Sequence, residues 1–171
     1  ISLPDTTQAT IRIEATLKNH KDEFLLGTLE GSYGHVPFNL EVGLEPGETR
    51  TVSTEISLEN PKLWWPKGYG APNLYPVNMT YKIRDMVSDS LTFLSGVRQV
   101  GFDENNGILS LYINGRRFIG RGGNWGFSES NLNYRGREYD IAVAYHADMN
   151  FTRIRNWVGQ TGDDEFYEAC D

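Results

Sequence analysis

Arg153 and Arg155 are the residues of this sequence with the clearest chemical potential. They stand in the run Asn-Phe-Thr-Arg-Ile-Arg-Asn over 150–156, whose spacing predicts a short strand. Alternate residues of a strand point the same way, so both arginines are expected to share a face with Phe151 and Trp157. A buried arginine is costly unless it meets a carboxylate, and none is near in sequence, so the partner must come from elsewhere in the fold. A guanidinium at the C-terminal end of a strand can orient a carboxylate or a substrate hydroxyl. The same group could instead close a salt bridge that ties the fold together. Asn124 and Trp125, a polar amide and a large ring, end a second strand-like run that begins at Leu109.

Other groups have simpler explanations. Gly120-x-Gly122 resembles a dinucleotide loop, but the third glycine of the pattern falls in the wrong place, at Gly126, and the following helix starts too late. Close backbone packing explains these glycines better. Asp163, Asp164 and Glu165 could ligate a metal, yet carboxylates at the start of a helix need no ion to account for them. His146 sits mid-helix and is assigned to packing or surface. Cys170, the only cysteine, is expected to be a small buried apolar residue. Asn78-Met-Thr and Asn150-Phe-Thr match the glycosylation acceptor pattern, but both fall in expected strands and are discounted. Trp64 and Trp65 could stack on a sugar ring, or could plug the end of a β-sandwich or seal it against a following domain.

The elements that must position these groups follow from hydrophobic period. Residues 10–17 alternate Ile11, Ile13, Ala15 and Leu17 with polar partners, a half-buried strand. Further strands are expected over 24–32, 36–44, 52–58 and 75–83, with a turn at 85–88 and a last strand over 91–102. Asn19 to Asp22 reads as a polar turn, and Glu45-Pro46-Gly47-Glu48 has the type II pattern. Proline and glycine keep the segment 60–75 irregular. This set predicts an antiparallel sandwich of immunoglobulin-like type, without a cysteine pair to staple it. Asn114-Gly115 is the strongest signal for a tight type I′ hairpin. Beyond Trp125 the pattern changes: a polar loop over 131–136, a helix over 137–148, a strand, a loop over 157–162 and a second helix opening at 163. That order begins a parallel α/β fold.

Composition narrows the function. The 171 residues carry a net charge of −7, which argues against nucleic acid as a partner. No apolar run is long enough to span a membrane, and no signal peptide is visible. The chain opens on Ile1, which suggests that an upstream segment has been removed. One cysteine leaves the compartment open.

Gly96-Val-Arg-Gln-Val-Gly-Phe102, then Leu111-Tyr-Ile-Asn-Gly-Arg-Arg-Phe-Ile-Gly-Arg-Gly-Gly-Asn-Trp125, resemble the sandwich-to-barrel junction of glycoside hydrolase family 2. The run from Met149 to Asp171 resembles that family's second barrel strand, loop and second helix. The loop Trp64-Trp-Pro-Lys-Gly-Tyr-Gly-Ala-Pro-Asn-Leu-Tyr75 is similar to the one in its immunoglobulin-like domain. The Asn-Trp pair at 124–125 and Asn-Trp-Val-Gly at 156–159 resemble the β-mannosidase and exo-β-glucosaminidase branch; the β-galactosidase type has a His-Tyr-Pro-like sequence instead.

The resemblance implies a mainly β chain. An immunoglobulin-like antiparallel β-sandwich (1–102) would be followed by the first two β/α units of an incomplete (β/α)8 barrel (103–171). It implies a parent enzyme that is a retaining exo-β-glycosidase acting on β-linked oligosaccharides or glycosides, periplasmic or secreted, with no cofactor and no metal. The family's two catalytic glutamates lie on the fourth and seventh barrel strands, beyond Asp171, so the chain alone is expected to be inactive. By carry-over, Asn124 and Trp125 would line the sugar subsite, Arg155 would orient the nucleophile carboxylate, Trp157 would wall the pocket, and Arg153 would be structural. Two parallel strands cannot close a barrel, so self-association, or disorder toward the C-terminus, is expected. The alternative is a non-catalytic sandwich module that binds carbohydrate or mediates contact.

Overall fold

The computed structural model describes residues 1–125, 136–156 and 163–171. Residues 131–135 of the loop expected over 131–136, and the loop expected over 157–162 with Trp157, lie outside the described residues. The chain divides into two compact units, one formed by 1–63 and 73–99, the other by 64–72 and 100–171.

The first unit holds β1 (Gln8–Lys18), β2 (Leu25–Tyr33), β3 (Val36–Leu44), β4 (Thr49–Glu59), β5 (Tyr75–Ile83) and β6 (Met86–Ser95). All pairings among them are antiparallel. β1 pairs with β4, and a four-stranded sheet runs in the order β3-β2-β5-β6. The inward residues of the alternating runs meet between the sheets: Ile13, Leu29, Phe38, Val42, Leu44 and Tyr81 are buried, with Ile11, Ala15, Leu17, Leu40, Val52 and Ile56 packed around them. Each fully buried aliphatic or aromatic side chain of this kind contributes on the order of 1.5–3 kcal/mol.

The turns follow their residue types. Gly47 takes φ 71° after Pro46, and the Glu48 amide donates to the Glu45 carbonyl at 3.0 Å, as the type II pattern requires. The turn around Asn19 is held from inside. This amide is 1% exposed; its Nδ2 donates to the carbonyls of Glu23 (2.8 Å), Leu44 (3.2 Å) and Glu45 (3.0 Å), while its Oδ1 accepts from the Lys21 amide at 2.8 Å.

Two expectations need correction here. The turn after β5 is at Arg84 and Asp85, with Arg84 at φ 55°, and Met86 to Ser88 already belong to β6. The single strand expected over 91–102 is two: β6 ends at Ser95, and β7 (Val100–Asn105) pairs in another sheet within the second unit.

That unit opens with a three-stranded meander of β7, β8 (Ile108–Ile113) and β9 (Arg116–Phe118). Asn114 (φ 49°) and Gly115 (φ 78°) form the expected two-residue turn, and Asn106 (φ 53°) with Gly107 (φ 76°) forms a second of the same kind. The chain continues through β10 (Asn124–Trp125), α1 (Arg137–Asp148), β11 (Arg155–Asn156) and α2 (Asp164–Cys170). β10 and β11 pair in parallel.

Candidate functional site

The parallel pair is the element that gathers the candidate residues, and glycine is what lets it form. The Thr152 and Arg153 amides donate to the Arg121 carbonyl at 2.8 and 3.1 Å, and the Arg155 amide donates to the Gly123 carbonyl at 3.0 Å. At Gly122 the two backbones approach so closely that a Cβ would stand 1.7 Å from the Arg153 carbonyl oxygen. A Cβ at Gly120 would press on the Arg153 side chain at 3.2 Å, whereas Gly123 has room, with its nearest neighbour at 4.0 Å. The account by close backbone packing therefore holds at Gly122, while at Gly120 the neighbour is a side chain.

In a parallel pair, partners lie on the same side. Asn124 is paired with Arg155, and Trp125 with Asn156. The pairing brings Asn124 and Arg155 together on one exposed side, where Arg155 Nη1 donates to Asn124 Oδ1 at 3.0 Å. Trp125 faces the other way. It is 5% exposed, with its ring 5.7 Å from Phe166, 5.5 Å from His146 and 6.5 Å from Tyr139. Trp125 thus anchors the strand to the helices while its neighbour Asn124 is presented to solvent. Trp157 is outside the described residues.

The helices are fixed by their ends. Asn150 takes φ 60° just past α1; its amide donates to the Ala147 carbonyl and the Phe151 amide to the His146 carbonyl, each at 3.0 Å. This is the Schellman arrangement, and the accompanying side-chain contact is His146 against Phe151, with centroids 5.4 Å apart. Asn150 is accordingly an exposed turn residue and not part of a strand, and the strand expected over 150–156 is regular only at Arg155 and Asn156. Asp163 precedes α2 and accepts a short hydrogen bond from the buried Tyr139 hydroxyl, joining the two helices. Cys170 is exposed at the end of α2, contrary to the expected burial. Its thiol is pushed above the ordinary range by partial desolvation and by the Asp171 carboxylate.

Sequence reasoning passed over Thr152, whose hydroxyl donates to the Ile119 carbonyl (2.9 Å) and accepts from the Arg121 amide (3.0 Å). It also passed over Asn114, whose amide donates to the Trp64 carbonyl at 3.0 Å. Only the turn-forming character of Asn114 was visible in advance.

The Trp64–Pro72 loop is built into this unit. The Tyr69 hydroxyl accepts from the Ile119 amide (2.8 Å), its ring lies 5.4 Å from Phe118, and the Arg116 guanidinium stands 5.5 Å over it. A cavity of about 610 Å³ opens beside the loop, lined by Trp64, Trp65, His146, Phe151, Arg153 and Tyr167 among others. Among the described residues no group of three or more His, Cys, Asp or Glu could hold a metal ion, and no helix is long and apolar enough to cross a membrane.

Comparison with known proteins gives concordant matches. The family model for glycosyl hydrolases family 2 matches residues 2–98. The chain is 29% identical to an exo-β-D-glucosaminidase of Streptomyces avermitilis, covering all of this chain and 20% of the relative. It is 40% identical to a mannosylglycoprotein endo-β-mannosidase of Lilium longiflorum over 65% of this chain and 12% of the relative. The crystal structure of an exo-chitosanase from Amycolatopsis orientalis superimposes with a TM-score of 0.89 at 24% identity, covering 95% of this chain and 19% of that one. At that identity the likeness speaks for the fold alone. The chain thus spans about a fifth or less of the length of these relatives.

Proposed function

The chain belongs to glycosyl hydrolases family 2, and on that premise we propose that it is part of a longer retaining exo-β-glycosidase that hydrolyses O-glycosyl bonds. Residues 1–102 are read as its immunoglobulin-like sandwich and 103–171 as the opening of a (β/α)8 barrel. The strand, helix, parallel strand, helix order from β10 to α2 supports this reading.

The observation that carries the proposal is the Asn124–Arg155 pair. Two polar side chains from adjacent parallel strands stand on one exposed side, joined at 3.0 Å. Retention requires two carboxylates about 5–5.5 Å apart, one acting as acid and then base, the other as nucleophile. In this proposal both are glutamates from the later barrel strands. Arg155 orients the nucleophile carboxylate through its fixed donors, and Asn124 holds Arg155 while offering its amide to a sugar hydroxyl. Trp125 acts from behind, keeping Asn124 at its place in the strand.

The substrate is a β-linked glycoside of the glucosamine, mannose or galactose type; the relatives named for exo-glucosaminidase and endo-mannosidase activity support that range. The test uses aryl β-glucosaminide, β-mannoside and β-galactoside, and an oligosaccharide with an internal mannosyl bond. The full polypeptide should turn over one of them with net retention, and the 171-residue chain none. Arg155→Lys in the full polypeptide should lower kcat with little change in protein stability. Hydrolysis by the pure 171-residue chain, or an unchanged kcat in Arg155→Lys, refutes the assignment.

A further inference from the structure

The segment that leads into Asn124 has almost no side-chain pattern of its own. Gly120, Gly122 and Gly123 leave Arg121 as the only side chain between Ile119 and Asn124. A glycine-rich strand specifies its register weakly, and a slip of one residue turns every side chain to the other face. Close approach does not prevent such a slip. Gly123 also lacks a Cβ, so it could take the place of Gly122 against the Arg153 carbonyl. Arg155 would then stand opposite Trp125 instead of Asn124, and the 3.0 Å bond from Arg155 Nη1 to Asn124 Oδ1 would be lost. Regular pairing of β10 with β11 covers only two residues on each strand, so little of the register comes from the ladder itself.

One side chain ties the two segments at a fixed offset. The Thr152 hydroxyl donates to the Ile119 carbonyl at 2.9 Å and accepts from the Arg121 amide at 3.0 Å. Those two groups flank Gly120, and the Arg121 amide also donates to the Ile119 carbonyl at 3.1 Å, closing a three-residue turn. The hydroxyl sits in the mouth of that turn and acts there as donor and acceptor at once. A slip in either direction takes it away from these partners. The Thr152 amide adds a bond to the Arg121 carbonyl at 2.8 Å, but every residue except proline could make that one. We propose that Thr152 is a positioning residue: its hydroxyl sets the register of the glycine-rich segment against β11, and so holds Arg155 beside Asn124. The inference rests on the reading of Arg155 as the group that orients the nucleophile carboxylate.

Thr152→Val, which keeps the shape and the β-branch and removes the hydroxyl, tests it in the full polypeptide. Its kcat should fall roughly ten- to a hundredfold while KM changes less than about threefold, because a displaced guanidinium fails the nucleophile in the transition state and leaves ground-state binding alone. Thr152→Ser should restore most of kcat. In an Arg155→Lys background, Thr152→Val should lower kcat by less than about twofold more, because the guanidinium it positions is already gone. Amide exchange of the peptide that carries Arg155, read by mass spectrometry, should be about tenfold faster in Thr152→Val. Additive losses in the double variant, an unchanged kcat in Thr152→Val, or a serine variant as impaired as the valine one overturn the proposal. So does a Thr152→Val protein that fails to fold while Thr152→Ser folds, since the hydroxyl would then serve the whole fold. If the full polypeptide hydrolyses no glycoside, or Arg155→Lys leaves kcat unchanged, the reading of Arg155 fails. The exchange measurement then still decides whether Thr152 sets the register, and an unchanged rate overturns that.

Discussion

Gly122→Ala tests whether close backbone approach is what assembles the parallel pair. The new Cβ would lie 1.7 Å from the Arg153 carbonyl oxygen and 2.8 Å from its carbon, and neither atom can swing aside as a flexible side chain would. The strands must part by more than an ångström. Three backbone hydrogen bonds flank the contact, two to the Arg121 carbonyl and one to that of Gly123. At roughly 0.5–1.5 kcal/mol net each, their loss amounts to about 2–4 kcal/mol. Gly123→Ala is the internal control. Its Cβ would find its nearest neighbour at 4.0 Å, and its φ lies outside the left-handed region. That substitution should be neutral or stabilise by up to ~1 kcal/mol through the unfolded chain. Urea titration followed by tryptophan fluorescence reads both, because Trp125 is buried on this strand. Equal midpoints for the two variants, or a Gly122→Ala loss under about 0.5 kcal/mol, would refute the reasoning.

Asn19→Asp should destabilise the first unit by about 3 kcal/mol or more, because a buried carboxylate would confront three carbonyl oxygens where an amide now donates; thermal unfolding measures it. Asn114→Ala should cost about 2 kcal/mol, half from placing alanine at φ 49° and half from the lost bond to Trp64, while Asn114→Gly should cost only the bond. Similar losses for the two would show that the turn conformation contributes nothing. Burial holds the phenols of Tyr81 and Tyr33 above their ordinary value. As pH rises past about 10 the unfolded chain releases these protons first, the folded state then binds more, and stability falls with pH. Tyr81→Phe should flatten that fall in denaturation midpoints taken from pH 9 to 11.

Much of the first unit was legible because its strands alternate, and each inward set needs only a facing sheet to bury it. Ile13, Phe38 and Val42 carry that signal without help. The break after Ser95 was not legible, since alternation says nothing about which partner a strand pairs with. The buried role of Asn19 was hidden by its type, which suits an exposed turn equally well. Asn150 was misplaced in a strand because a left-handed helix terminus built on asparagine lacks the usual glycine. At the candidate site, the types of Asn124 and Arg155 suggested chemistry, but their meeting depends on a pairing between residues far apart in the chain. The opposite orientation of Trp125 followed from the same strand alternation that placed Asn124, and family resemblance obscured it.

The loop from Trp64 to Pro72 is encoded between two strands of the sandwich, yet its bonds run to Asn114, Ile119 and Phe118. A gene cut at codon 99 therefore does not separate two self-sufficient modules. The excised sandwich would display Trp64, Trp65 and Tyr69 bare, an adhesive tongue prone to clumping, and the remainder would miss the brace on its hairpin. Exchange of such segments between related genes should survive only where donor and recipient have kept both the tongue and the hairpin that receives it.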